Sequence, residues 1–383
     1  MIIYIRIALI FGLLLVFRGV HSEALVPSPP VYITTAYLKL KLEEYRYKNP
    51  QRGHGGAIAD LGFNILLGKS DNNFSRINTT SWISEDNYLP PLETGGENLK
   101  NSRRYKYREM TPRIEGLLNY QGTYYVSYTK YDAASDFIYF VIDKIEGTSD
   151  WKNVYQSPGL DAPYYTIGSG GRMVALDGKL FFTVGDFSLD RLNGLSSDVA
   201  PQNPSLPWGK VNYIDLANQS FHVWTLGHRN PQGLLVLSDG RIIAAEHGPQ
   251  GGDELNILES GGNYGWPFES FGTKYGSYGE YKDDLPAPSE DPIKFKKPLF
   301  AFVPSPAISQ LIEVKKFHSK WNGDILLGSL KAKTLFHIRI DKDKVIFVEP
   351  IPINHRIRDI KQIDSSIYIL TDEGSILKIT HFD

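Results

Sequence analysis

Chemistry-bearing residues concentrate between Leu226 and Pro267. The run LGHRNPQGL sets Arg229 and Asn230 directly before a proline that cuts a strand short. Arginine offers a planar fork of five donors suited to carboxylates, and asparagine adds both donors and an acceptor. Further on, Glu246-His247 precedes Gly248-Pro249. A glycine that opens the backbone, followed by a proline that fixes it, can aim two carbonyl oxygens outward. Such oxygens are the ligands a hard cation such as calcium prefers. Asp253 and Glu254 then enter a strand, and NYGWP ends the hairpin, so that Glu254 and the Tyr264 carbonyl offer a second calcium position. Each piece alone reads equally well as turn punctuation; their combined order and spacing are far more specific.

The elements that must position these groups follow from a recurrent unit, a turn with Gly, Asp or Asn and then a short β-rich run. It occurs as DLGFNILLGKS from Asp60, NYQGTYYVSYT from Asn119, LDGKLFFTVGD from Leu176, SDGRIIAAEHG from Ser238, WNGDILLGSLK from Trp321 and IDSSIYILTDEG from Ile363. The spacing is roughly sixty residues, in the range of arrayed supersecondary units. Between the copies, FIYFVIDKI, LFHIRI and SILKITHF alternate apolar and polar residues as half-buried antiparallel strands do. The pattern predicts an all-β, six-bladed β-propeller over residues 23–383, its blades surrounding a channel. A large β-sandwich or a pair of small β-domains is the competing reading. Lys69 to Arg108 reads as a polar surface loop or insertion. Phe268 to Lys297, rich in Tyr and Pro, reads as a lip over the channel mouth or as a disordered surface loop.

Composition excludes several functions. With 41 basic and 43 acidic side chains the formal charge is −2, which gives no bulk attraction to nucleic acid or to an anionic membrane surface. Residues 1–22 combine Arg6, an apolar run from Ile7 to Phe17 and Val20-His21-Ser22 before Glu23. That is the pattern of a cleaved secretory signal, an uncleaved anchor being the alternative. The expected location is therefore periplasmic or secreted, with no membrane span after cleavage. Cysteine is absent, so there is no thiolate nucleophile, redox dithiol, thiolate metal site or cysteine-linked lipid anchor. Neither a G-x-S-x-G elbow nor H-E-x-x-H occurs, against serine-hydrolase and zinc chemistry.

The stretch from LGHRNPQGL to NYGWP resembles the soluble pyrroloquinoline-quinone-dependent sugar dehydrogenases, the glucose/sorbosone dehydrogenase family, which are six-bladed propellers. The likeness runs from about Arg113 to Phe382. It implies pyrroloquinoline quinone and calcium as cofactors. It places quinone binding on Arg229 and Asn230, on Lys331 within GSLKAKTLF, and on Arg356 and Arg358 within NHRIRDI. The cofactor calcium falls on the carbonyls of Gly248 and Pro249, and a structural calcium on Glu254 and Tyr264. A flat tricarboxylate with an ortho-quinone needs several cations, a divalent metal and a slot for a planar ring. These cations come from three repeats, which a propeller brings round one axis.

The resemblance also marks a departure. In the family, a histidine before a GGR-like turn takes the proton from the anomeric hydroxyl of the sugar, and an aspartate at the end of the next strand orients it. Asp186 in TVGD matches the aspartate, but TIGSGGRM puts Gly168, which is no base, at the histidine position. Ile114 stands where relatives carry a glutamine near the cofactor. With Arg229 beside the quinone, the groups left to accept a proton are Asp186, His247 and His54, of which His247 lies in the cofactor loop. The resemblance thus implies an exported dehydrogenase of aldose C1 hydroxyls with an altered or impaired base and an electron acceptor that the sequence does not identify. The alternative is a non-catalytic propeller that binds a sugar, an anionic ligand or a protein partner.

Overall fold

The computed structural model describes residues 22–48, 55–100, 112–147, 149–160, 168–189, 199–276, 279–280 and 294–382. Each of the six repeated turns joins the first two strands of one antiparallel sheet. They connect Ala57–Asp60 to Asn64–Gly68, Ile114–Tyr120 to Thr123–Asp132, and Gly170–Leu176 to Lys179–Val184. In the second half they connect Pro231–Val236 to Ile242–Glu246, Ile308–Glu313 to Ile325–Ser329, and Ile357–Ile363 to Ser366–Thr371. Two are two-residue turns with both φ angles positive, Gln121-Gly122 at 52° and 82° and Asp177-Gly178 at 49° and 72°. That geometry matches the right-handed twist of the flanking strands.

Six sheets of four or five strands result. The first strand of each touches the first strand of the next, and the last, Ile357–Ile363, returns to Ala57–Asp60. This is the expected six-bladed propeller. The ring is closed by the chain ends: Lys39–Arg46 pairs along its full length with Ser375–Phe382, and Val31–Thr34 pairs outside it. Apolar side chains fill the seams between blades. At the seam between the last two blades, Leu40 and Ile369 of the sixth pack with Leu326 of the fifth, all fully buried.

The stretch from Lys69 to Arg108, read as a loop or insertion, instead carries the outer strands of the first blade, Phe74–Asn78 and Ile83–Asp86, and a short helix, Gly96–Lys100. The outer strand Phe74–Asn78 buries only two apolar residues. Phe74 and Ile77 are fully enclosed while the intervening Ser and Arg are polar, and so thin an apolar signal does not stand out in a polar sequence. The signal-like segment lies outside the described residues up to His21, as does His54.

Across the channel axis lies a buried ion pair. Arg172 Nη1 donates to Asp359 Oδ2 at 3.1 Å, Nη2 to the Arg358 carbonyl at 2.7 Å and Nε to the Gln232 carbonyl at 2.9 Å. Asp359 also accepts the amides of Ile58 and Ile360. One side chain of the third blade thereby holds the fourth and sixth, and its partner carboxylate holds the first. Removing one partner of such a pair leaves an uncompensated buried charge. We expect Asp359→Asn to cost about 3 kcal/mol or more in urea unfolding. Asp239→Asn, which breaks an exposed pair with Arg241, should cost less than about 1 kcal/mol.

Candidate active site

At the channel end where the inner strands of the central blades begin, a cleft of about 750 Å³ opens. Gly168, Asp186, Arg229, Asn230, His247, Gly248, Pro249 and Lys331 all line it. Residues read from four separate stretches of sequence are thus brought together. Asp186 follows the strand Lys179–Val184; its Oδ2 accepts the Trp266 indole N–H at 2.8 Å and its Oδ1 the Ser188 amide at 2.9 Å. The Asp186 amide donates to the Arg229 carbonyl at 2.8 Å, which ties carboxylate and cation together through the backbone. The Arg229 guanidinium stands 5.4 Å over the Trp266 ring and donates to the Gly248 carbonyl at 2.8 Å.

The loop after Ile242–Glu246 is shaped by contacts that only glycine permits. A Cβ on Gly248 would fall 2.2 Å from the Gly252 carbonyl oxygen and 2.4 Å from that of Gly251. The turn is therefore tight enough to bunch backbone carbonyls beside the cleft. Asp253, buried, clamps it: Oδ1 accepts the Gly248 amide and Oδ2 the Ile308 amide of the next blade, each at 3.0 Å. His247 donates from Nε2 to the Ile308 carbonyl, and Nδ1 faces the Asn230 amide at 3.5 Å. Burial lowers the His247 pKa; Asp253 opposes the effect and Arg229 adds to it. Asn230 Oδ1 in turn accepts from Gln232.

Glu254 and Tyr264 adjoin the cleft in a niche of about 10 Å³ shared with Glu246 and Glu269. That is room for a single water or ion. Burial, and then the Glu246 carboxylate, push the Glu254 carboxyl up to about 8. Two acids forced together in low dielectric form a cation-seeking donor set. Among the described residues no three acidic or imidazole groups gather to hold a metal by themselves, so a cation here would also draw on backbone carbonyls.

The four expected cations gather at this end of the channel but do different things. Lys331 is exposed at the cleft, and its ammonium has no ion pair among the described residues. Arg356 and Arg358 are not among the residues lining the cleft. Both bind Asp372, Arg358 through Nε and Nη2 at 2.8 and 2.9 Å and Arg356 through Nε at 2.9 Å. Arg356 also reaches the Leu330 carbonyl at 3.5 Å, next to Lys331. Against the burial that would raise it, Arg358 and then Arg356 hold the Asp372 carboxyl down to about 2.

Sequence reading missed Trp266, which forms the partner of Asp186 and the platform under Arg229; its place directly after Tyr264-Gly265 was the available signal. It also missed Glu246, whose carboxylate faces the fully buried His228 at 3.3 Å, accepts the Arg229 amide at 3.2 Å and binds Asn256. At Gly168, with φ +95°, a Cβ would meet only Asp186 Oδ1 at 3.8 Å and Asn230 Cγ at 3.9 Å. A side chain there would enter open space beside the aspartate.

Comparisons with known proteins agree with this architecture. The family model for glucose/sorbosone dehydrogenase matches residues 119–378, more than half of the chain. The chain is 31% identical over 264 residues to the aldose sugar dehydrogenase YliI of Escherichia coli (strain K12), covering 62% of this chain and 66% of that protein. It is 34% identical over 138 residues to quinoprotein glucose dehydrogenase B of Acinetobacter calcoaceticus, covering 30% and 27%. An uncharacterized protein of Synechocystis is 39% identical over 164 residues, 41% of this chain and 38% of that one. The chain thus spans from 27% to 66% of the length of these curated relatives. The solved apo aldose sugar dehydrogenase of Escherichia coli matches with a TM-score of 0.69 at 20% identity, over 89% of this chain and 99% of that one. The solved PQQ-bound aldose sugar dehydrogenase of Streptomyces coelicolor matches with 0.62 at 18%, over 89% and 98%. At those identities the structural likeness is one of fold.

Two pH effects follow from the charges. Glu254 binds its proton more tightly folded than unfolded, so its contribution to stability falls as pH rises from about 4.5 to about 8. Glu254→Gln should raise the melting temperature of metal-free protein above pH 8, on the order of a few kcal/mol in stability, and leave it unchanged below pH 4. Asp372 behaves oppositely: its contribution is complete above about pH 4 and is lost as pH falls through about 2. Between pH 5 and pH 2, unfolding titrations should show the parent losing roughly 2 kcal/mol more than Asp372→Asn.

Proposed function

We propose that this chain, which belongs to the glucose/sorbosone dehydrogenase family, oxidises the C1 hydroxyl of an aldose with pyrroloquinoline quinone and calcium. The observation that carries the reading is the convergence of Arg229, Lys331, Asn230 and Asp186 on one cleft large enough for a planar cofactor and a sugar. The donor set fits the quinone: Arg229 and Lys331 would hold its carboxylates, Asn230 a ring oxygen, and Trp266 an apolar face. Bound there, it would supply the hydride acceptor. The carbonyls of Gly248, which Arg229 binds at 2.8 Å, and Pro249 would take the cofactor calcium, and Glu254 with the Tyr264 carbonyl a second, structural one.

The residues of the chain then have separable tasks. Arg229 and Lys331 bind and orient anionic groups. His247, with one nitrogen on Ile308 and the other turned to Asn230, orients the amide. Asp186, beside the open space at Gly168, holds the proton released by the sugar hydroxyl. A carboxylate stabilised by the Trp266 and Ser188 N–H groups is a weaker base than an imidazole, so turnover should be slow. The signal-like segment supports export to the periplasm or the medium. A second reading, a binding propeller without turnover, is favoured by the same glycine at position 168.

Titrating calcium-loaded protein with pyrroloquinoline quinone, followed by an aldose panel, tests the proposal. Cofactor binding with slow sugar-dependent bleaching is the expected result, and Asp186→Asn should reduce that rate about 10²-fold or more while leaving cofactor affinity unchanged. Gly168→His should raise the rate about 10²-fold, at a modest loss of stability from its positive φ. No cofactor binding sinks the dehydrogenase reading; binding with no turnover in either protein supports the second. Chelating calcium should weaken quinone binding and lower the melting temperature, the latter effect being absent in Glu254→Gln.

A further inference from the structure

Residues that do not line the cleft hold two that do, Asp186 and Trp266. Their anchor is Lys210, a fully buried lysine that opens the strand Lys210–Asp215. Its ammonium donates to the carbonyls of Ala200, Pro201 and Trp208, each at 2.8 Å. An ammonium has three N–H donors, so all three are spent on backbone. Burial pushes the Lys210 pKa down to about 7, and the three carbonyl dipoles offset part of the cost of enclosing the charge. The short turn Ala200–Gln202 is pinned in this way at two of its three residues.

Two arms run from this anchor to the active site. In the first, Trp208 packs edge-on against Phe187 at 5.2 Å, both rings buried. Phe187 and Ser188, directly after Asp186, have φ angles of 48° and 60°, a conformation that non-glycine residues keep only where their surroundings enforce it. The Ser188 amide is thereby turned back onto Asp186 Oδ1 at 2.9 Å. In the second arm, Gln202 Nε2 donates to the Trp266 carbonyl at 2.7 Å and to Asn263 Oδ1 at 3.2 Å. Its Oε1 accepts from Asn263 Nδ2 at 2.7 Å, so the amide has no freedom to rotate. The Trp266 N–H donates to the Gly227 carbonyl at 3.0 Å. With both of its backbone groups held, Trp266 aims its indole at Asp186 Oδ2, 2.8 Å away.

We propose that Gln202, anchored through Lys210, is a positioning residue that keeps the Trp266 indole on Asp186 and so sets the basicity of that carboxylate. An N–H donated to a carboxylate stabilises its charged form and makes it a weaker base. Gln202 therefore acts on the proton acceptor from outside the cleft. The charged and titratable groups that line the cleft with Asp186, namely Arg229, His247, Asp253 and Lys331, are left in place when Gln202 is replaced. The catalytic consequence rests on the dehydrogenase reading, whereas the indole–carboxylate geometry stands without it.

Indole N–H spectra of ¹⁵N-labelled, quinone-free protein provide the test. The chain has six tryptophans, and the Trp266 signal is the one lost in Trp266→Phe. That signal should move as Asp186 titrates and stay still in Asp186→Asn. Gln202→Met should speed solvent exchange of the Trp266 indole about tenfold, as expected for one net hydrogen bond. The titration midpoint should rise by about one pH unit, since the carboxylate loses a donor. Gln202→Glu, which keeps the acceptor for Asn263 and loses the donor to Trp266, should act in the same direction with less change to packing. The Trp151 indole, bound to the Pro90 carbonyl at 2.8 Å in the seam of the first two blades, should keep its exchange rate in both variants. In quinone-loaded protein the acid limb of the pH–rate profile should move up together with the midpoint. A Trp266 signal unchanged in both variants, or equal acceleration of Trp151, would overturn the proposal. Failure to bind the quinone would count against the dehydrogenase reading alone, because the spectra are taken without it.

Discussion

The structure depends most on one buried charge pair at its axis. Six sheets can be arranged round a channel only if the polar groups of the inner strands, stripped of water, find partners. Arg172 and Asp359 meet that requirement for four blades together. Their 187-residue separation in sequence makes the contact a product of ring closure and not of local structure. The pair also divides the channel, so that the two ends form separate cavities.

Around the active-site mouth, charge is held in three states. Asp372 is fully committed to Arg356 and Arg358, which makes those arginines a rigid positive wall behind Lys331. Asp253 spends its carboxylate on two backbone amides and so sets the distance between the Gly248 loop and the next blade. Glu254 and Glu246 remain crowded, so that Glu254 keeps its proton up to about pH 8. The first two arrangements fix geometry, while the third is a local instability that a divalent ion would relieve.

The turns that join first and second strands were legible because they need positive φ and therefore a restricted set of residues, repeated six times. The loop from Glu246 to Gly252 was legible for the same reason. Strands at the blade exteriors, such as Phe74–Asn78, were not, because two buried apolar residues hardly differ from a loop in composition. The role of Trp266 was hidden in another way: its partner Asp186 lies 80 residues upstream, and nothing local announces the contact. Arg356 and Arg358 were read as a quinone-binding pair, whereas Asp372, sixteen and fourteen residues further on, determines where they point.

Ring closure by the chain ends imposes an order of events on biosynthesis. The edge of Lys39–Arg46 not taken by Val31–Thr34 has no strand to pair with until Ser375–Phe382 has been made. Neighbouring hairpins can form as they emerge, but the axial ion pair cannot, since Asp359 follows Arg172 by 187 residues. The ring therefore stays open from the synthesis of Lys39–Arg46 until that of Ser375–Phe382.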